Sequence, residues 1–428
     1  MSADLTPKRK RHQDLRDLMS LPRSALASHY RRKVDELADV SNLPRLRAFL
    51  PQNAWPWIRN YAKYVFRQRH RFETYPVQGE RGCYQMRSAD ASGSVRISVA
   101  GDWGTGTAEA ERVADSMEGF DPHYTIHLGD VYYVGDEREI NENCLGQPRG
   151  DYQGVLWPKG SLGSFTLNSN HEMYANGNGY FDVFIPTLGI PSSRDKKQLT
   201  SFFCLQNETW RILGLDTGYN STGLPILAQI PLINAIPGVG PSCKLEPALL
   251  EWLRTTVDPL RNPRATVLLT HHQYFSAFEE GYIKPAQQLK EFFGNQDVLW
   301  LWGHEHRFAI YNRYTDAGMT VYGRCVGHGG MPVDITPPIP GYRAPLRYHD
   351  RRVYTEVEGT PIGFNGFVNI EIQAEYARLT YRDVTNRKIV VEKFEASGPR
   401  LSQTFEYVEP VLVQGAGSRT LYRLTQEL

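Results

Sequence analysis

No run of about eighteen apolar residues occurs in this chain of 428 residues, so the sequence offers no membrane-spanning helix. The nearest stretch, residues 224–240, is broken by Pro225, Gln229, Pro231, Asn234 and Pro237. Cysteine is scarce: Cys83, Cys144, Cys204, Cys243 and Cys325 are odd in number, widely spaced and free of any C-x-x-C pair. That excludes a disulfide-built scaffold and predicts a reducing compartment. The basic start Lys8-Arg9-Lys10-Arg11 is not followed by an apolar segment, so no signal peptide is read and the expectation is cytoplasmic. Gly101-x-x-Gly104-x-Gly106 lacks the Lys-Ser/Thr of a phosphate-binding loop, and no Gly-x-Ser-x-Gly elbow occurs. Internal repeats and low-complexity tracts are absent as well.

What is present is a globular composition, 41% apolar and 22% charged, with a mean hydropathy of -0.46. The net charge of +1 hides an asymmetry. Residues 1–75 hold 16 Lys/Arg against 7 Asp/Glu, and the remainder holds 32 against 40. A basic arm on an acidic body can dock on that body or engage nucleic acid or an anionic surface, and self-docking is at least as good an account.

Three regions follow from the texture. Residues 1–75 read as a basic helical extension, with helices at 14–19, 24–37 and 58–71 between prolines. From 94 to 330, short apolar runs (95–100, 124–128, 164–167, 210–215, 265–269, 298–302, 319–322) alternate with helical patterns at 107–117 and 246–257, which predicts an α/β core. Beyond 331 a Pro-rich loop leads to period-two runs at 367–372, 377–381 and 389–394, a β-rich end that completes the core.

Metal-capable side chains follow five of these runs. They are Gly101-Asp102-Trp103-Gly104, Gly129-Asp130-Val131-Tyr132-Tyr133, Asn170-His171-Glu172, His271-His272 and Gly303-His304-Glu305-His306. At the carboxyl ends of strands the chain leaves the sheet, and loops from neighbouring strands converge. Carboxylates, an amide, phenols and imidazoles without thiolates suit Fe, Mn or Zn, in a number adequate for two ions. Taken singly each cluster is ordinary turn chemistry; five in order are a coherent signal.

In order and spacing these residues resemble the calcineurin-like metallophosphoesterase superfamily, over about residues 94–330. Asp102-x-Gly104 and Gly129-Asp130-x-x-Tyr133 are similar to the purple acid phosphatase branch, where a phenolate compensates for a histidine missing from the first motif. The resemblance implies a β-sandwich flanked by helices and a dinuclear centre. One ion would be held by Asp102, Tyr133 and His306, the other by Asn170, His271 and His304, with Asp130 bridging. Two departures stand out: Ser169 occupies the place of a glycine before Asn170, and Gln273 that of a proline after the fourth motif. The latter leaves His272 as the alternative to His271. For the phenol, alternation along an extended chain points Asp130 and Tyr132 the same way, whereas a turn after Asp130 and the family spacing select Tyr133.

The implied activity is hydrolysis of a phosphomonoester or phosphodiester, in a small molecule or nucleotide, by metal-activated hydroxide. His171 is the candidate to protonate the leaving oxygen, with Glu172 to orient it. Two alternatives remain at this stage: non-hydrolytic chemistry at the same metals, and a binding protein acting through the basic arm.

Overall fold

The computed structural model describes Tyr64 and residues 67–421, apart from 150–153, 192–196, 223–241, 342–343, 358–359, 410–411 and 416–417. The helices expected at 14–19 and 24–37 and the apolar insertion 224–240 lie outside the described residues. The helix expected at 58–71 does not extend through its last turn: Tyr64 is helical, but residues 67–76 form neither helix nor strand.

In chain order the elements are β1 (Cys83–Gln85), β2 (Val95–Ala100), α1 (Ala108–Glu118), β3 (Tyr124–His127), α2 (Glu137–Asn143), β4 (Gly163–Thr166) and α3 (Asn170–Tyr174). Then come β5 (Phe203–Gln206), β6 (Trp210–Gly214), α4 (Pro247–Trp252), β7 (Ala265–Thr270), α5 (Ile283–Phe293) and β8 (Asp297–Trp302). The remainder is strand: β9 (Phe308–Asp316), β10 (Met319–Val326), β11 (Leu346–His349), β12 (Val353–Val357), β13 (Thr360–Gly363), β14 (Gly366–Ile372), β15 (Tyr376–Asp383), β16 (Lys388–Ser397) and β17 (Arg400–Val408). A last hairpin joins Leu412–Gly415 to Ser418–Leu421. Every apolar run predicted as a strand is one.

Two mixed sheets form, in the orders β1-β5-β6-β7-β8-β10-β9-β11 and β17-β16-β15-β14-β2-β3-β4. From the tail, β14 pairs antiparallel with β2 in the register Ile370↔Ile97. Strand alternation then builds four layers. Val267 and Leu269 of β7 and Leu299 and Leu301 of β8 face inward against Ile97, Val99 and Ile126 of the other sheet. Leu268, Val298, Trp300 and Trp302 face outward, onto Leu249 of α4 and Leu289 of α5. On the opposite side, Ala110, Val113, Ala114 and Met117 of α1 cover the second sheet. Their three-to-four spacing is the apolar stripe of a helix, and Thr107 caps it by accepting from the Ala110 N–H at 3.2 Å. β8 is buried at all six positions, as expected of a strand covered on both faces.

Part of the arm docks on this body. Phe72 packs on Phe202 and Tyr219, with ring centroids 5.7 and 5.0 Å away, and the Tyr75 hydroxyl donates to the Phe202 carbonyl at 2.7 Å. The Tyr64 hydroxyl donates to Asp136 Oδ2 at 3.2 Å. No described helix is long and apolar enough to cross a membrane.

Candidate metal centre

β2, β3 and β4 run parallel in one sheet and β7 and β8 run parallel in the other, and the five motif loops leave the carboxyl ends of these five strands. The two sheets meet at glycines. A Cβ on Gly101 would lie 3.1 Å from the Gly303 Cα, and a Cβ on Gly303 would lie 2.5 Å from Asp102 Oδ2. Only glycine at 303 lets the β8 loop approach that carboxylate.

Three of the candidate ligands, Asp102, Asp130 and His304, have positive φ (57°, 78° and 66°). Non-glycine residues in this region carry local strain of about 1–3 kcal/mol, held by their surroundings and concentrated at functional sites. Here the surroundings are explicit. The His304 N–H donates to Asp102 Oδ2 at 2.8 Å, and the Asp102 N–H donates to the Gly129 carbonyl at 3.1 Å.

The chemistry of the donor set asks for a cation. His271 Nδ1 lies 2.9 Å from the Leu128 carbonyl, an acceptor only, so Nδ1 carries the proton and Nε2 the lone pair. That lone pair lies 3.2 Å from Asp130 Oδ1 and 3.2 Å from Asn170 Oδ1. The Asn170 amide is turned this way because its Nδ2 donates to the Tyr174 hydroxyl at 3.2 Å. Asp130 Oδ1 is buried and has no hydrogen-bond partner. Three electron-rich atoms thus converge with no proton between them, an arrangement that costs energy until a positive charge enters. Asp102, Asp130 and His271 offer one set of ligand atoms within 4.8 Å of one another, and His271, His272 and His304 offer a second.

Burial and the neighbouring Asp130 push the Asp102 carboxyl well above the usual carboxylate range. Burial would raise Asp130 as well, but the imidazoles of His271, His171 and His304 hold it well below that range. Burial pushes His271 down to about 4, which keeps the ring neutral and ligand-competent.

A phenol in the cluster is that of Tyr132, where the family spacing points to Tyr133. The Tyr132 hydroxyl lies 2.7 Å from Asp130 Oδ2, 3.2 Å from Asp102 Oδ1 and 3.1 Å from His306 Nε2. Asp130 has a left-handed φ of 78°, and the chain turns again from Tyr132. Val131 makes a parallel bridge to Gly104, with the Gly104 N–H donating to the Asp130 carbonyl and the Tyr132 N–H to the Gly104 carbonyl. This bridge anchors the short segment between the two turns, from which the Tyr132 hydroxyl reaches Asp130 Oδ2. Tyr133 is half-buried and contributes its carbonyl, which accepts from His171 Nδ1 at 2.6 Å.

His171 is buried beside the cluster, its Nε2 3.9 Å from Asp130 Oδ2 and its ring 4.3 Å from that of Tyr132. The expectation that Glu172 orients His171 is corrected, since the Tyr133 carbonyl does that. Glu172 accepts from the Ser169 hydroxyl and, at 3.4 Å, from the Asp130 N–H, so it fastens the loops of two candidate ligands together. Burial raises it to about 8. Ser169, in the place of the expected glycine, also caps α3 by accepting from the His171 N–H at 3.1 Å. Glu305, between His304 and His306, is turned inward to Ser276 and to Trp302 Nε1 at 2.9 Å. Trp103 packs in the core on Trp157 and donates to the Ala110 carbonyl. Arg307 is buried on Asp334 and Phe278.

No family model and no curated protein matches the sequence. Among solved structures the chain is similar to GAP50, the anchor in the inner membrane complex of Plasmodium, at 12% identity and a TM-score of 0.46 over 71% of this chain and 89% of that one. It is similar to PhoD at 11% identity and 0.44, over 74% and 72% of the two chains. A dimetal phosphatase from Danio rerio aligns at 12% identity and 0.38, over 68% and 96%. The layered pair of mixed sheets carries carboxylate, amide and imidazole side chains on the loops at the ends of β2, β3, β4, β7 and β8. That is the architecture the sequence motifs imply.

Proposed function

We propose that this chain is a metal-dependent phosphoester hydrolase with a dinuclear centre, of the purple acid phosphatase-like kind. The observation that carries the proposal is the convergence of His271 Nε2, Asn170 Oδ1 and the unpartnered Asp130 Oδ1 within 3.2 Å of the imidazole nitrogen. One ion would be held by Asp102, Tyr132 and His306 and the other by Asn170, His271 and His304, with Asp130 shared. A dinuclear centre supplies Lewis-acid polarisation of a phosphoryl oxygen and activation of the attacking water. The protein supplies the rest. The His304 backbone N–H fixes Asp102 Oδ2, and Glu172 ties the Asp130 loop to α3. His171, its Nδ1 proton committed to the Tyr133 carbonyl, presents Nε2 to deliver a proton to the leaving oxygen. The substrate class is a phosphomonoester or phosphodiester of a small molecule or nucleotide. The five widely spaced cysteines support a reducing, cytoplasmic setting.

Elemental analysis combined with a panel of chromogenic mono- and diesters tests this reading. Close to two ions of Fe, Mn or Zn per chain and chelator-sensitive turnover are expected. No metal after reconstitution, with no ester cleaved, would overturn it.

A further inference from the structure

His272 takes no part in the ligand set just described, although it is buried and belongs to the same cluster. Its ring centroid lies 4.7 Å from that of His271 and 4.7 Å from that of His304. Ligand-capable atoms of the three histidines lie within 4.8 Å of one another. Its setting repeats that of His271. In each residue Nδ1 has an outer oxygen partner, the Leu128 carbonyl at 2.9 Å for His271 and the Thr217 hydroxyl at 3.1 Å for His272. The Thr217 oxygen also accepts the His272 backbone N–H at 3.1 Å, which fixes the residue at both ends. Such a partner fixes the ring's orientation, and with the Thr217 oxygen accepting from Nδ1 the lone pair is left on Nε2 for metal.

We infer that His272 is a third imidazole ligand of the ion held by Asn170, His271 and His304. This rests on the metal-centre reading above and adds a residue to it. The consequence is chemical asymmetry. One ion then meets mostly anionic oxygen, from Asp102, Asp130 and Tyr132, while the other meets three nitrogens. Imidazole suits Zn²⁺ and Co²⁺, whereas Mn²⁺ and Mg²⁺ prefer oxygen. His272 therefore biases the second position towards Zn²⁺ and Co²⁺ and against Mn²⁺.

The test is metal affinity, measured on the whole chain by competition with a chromophoric chelator. In His272→Asn the weaker-bound Zn²⁺ should lose at least about tenfold in affinity, the scale of a disrupted histidine ligand environment, with a much smaller change for Mn²⁺. Unchanged Zn²⁺ affinity in a folded variant that still takes up two ions overturns the role of His272 while leaving the metal centre intact. Wild-type protein that binds no ion overturns the metal centre itself. If the variant fails to fold, the Co²⁺-loaded wild type decides. Its paramagnetically shifted exchangeable N–H resonances should count four imidazoles, from His271, His272, His304 and His306, and three would reject the inference.

Discussion

The Tyr132 hydroxyl sits 2.7 Å from Asp130 Oδ2 and only slightly farther from Asp102, so one phenol touches both carboxylates of the centre. A phenol bound to ferric iron loses its proton far below its free pKa of about 10 and produces a visible charge-transfer band. Tyr132→Phe should therefore bleach iron-loaded protein and weaken one of its two ions, while Tyr133→Phe should leave the colour in place. Visible absorption of the two variants decides between them. Bleaching by Tyr133→Phe alone would restore the spacing-based assignment.

His171 is predicted to act on the proton and not on the metal. Its Nε2 is 3.9 Å from Asp130, and its Nδ1 is taken by the Tyr133 carbonyl. His171→Asn should keep both ions and lower kcat by roughly 10²–10⁴-fold on a poor leaving group, with a smaller loss on an activated one. Metal content measured beside kcat separates this from a ligand's behaviour, and equal losses on both substrates would reject the proton-donor role.

Gly303 is predicted to be intolerant of a single methyl group. The added carbon would lie 2.5 Å from Asp102 Oδ2. Gly303→Ala should thus displace that carboxylate and reduce metal affinity by about tenfold or more, the scale seen when groups supporting a ligand are disturbed. Chelator competition on the folded variant measures it, and wild-type affinity would show that the β8 loop yields instead.

Stability should fall in acid through buried histidines outside the candidate ligand set. Burial holds His328 at about 3, and its ring stacks on Phe308 with centroids 5.2 Å apart. The unfolded chain takes up this proton near pH 6.5 and the folded one does not. Stability is therefore lost as pH falls from about 6.5 to about 3, at roughly 1.4 kcal/mol per pH unit for each such group. His328→Gln should make the acid limb shallower by about that slope, as read from urea unfolding of variant and wild type at matched pH. Parallel limbs would show that His328 does not contribute.

Removal of the arm should be a matter of stability rather than chemistry, and where the cut falls matters. Residues 64–75 supply Phe72, Tyr75 and the Tyr64–Asp136 hydrogen bond to the body. Deleting residues 1–75 should lower Tm more than deleting 1–63, because an aromatic pair contributes about 0.5–1.5 kcal/mol beyond its buried area and each hydrogen bond about 1 kcal/mol. Melting curves of the two truncations check this; identical Tm values would show that the docked segment adds nothing.

Much of this protein is legible from one dimension. The apolar runs that became β2, β3, β4, β7 and β8 are short and bounded, and the residues after them carry the ligand types, so both the layers and the end bearing the site follow from sequence order. β1, β5 and β11 are short, β17 is an edge strand, and β9 passes from a buried half to an exposed one, so none of them shows a clean period. What only the tertiary structure decided concerns direction. The Tyr132 hydroxyl enters the cluster beside the bridge of Val131 to Gly104, a contact between two loops that no local pattern encodes. The same holds for the contact of Glu172 with the Asp130 N–H across 42 residues, and for His272, whose Nδ1 finds Thr217 across 55 residues of chain. Residue type and strand order are properties of the chain, whereas the side to which a side chain points at a strand's end is set by what the loop leans on.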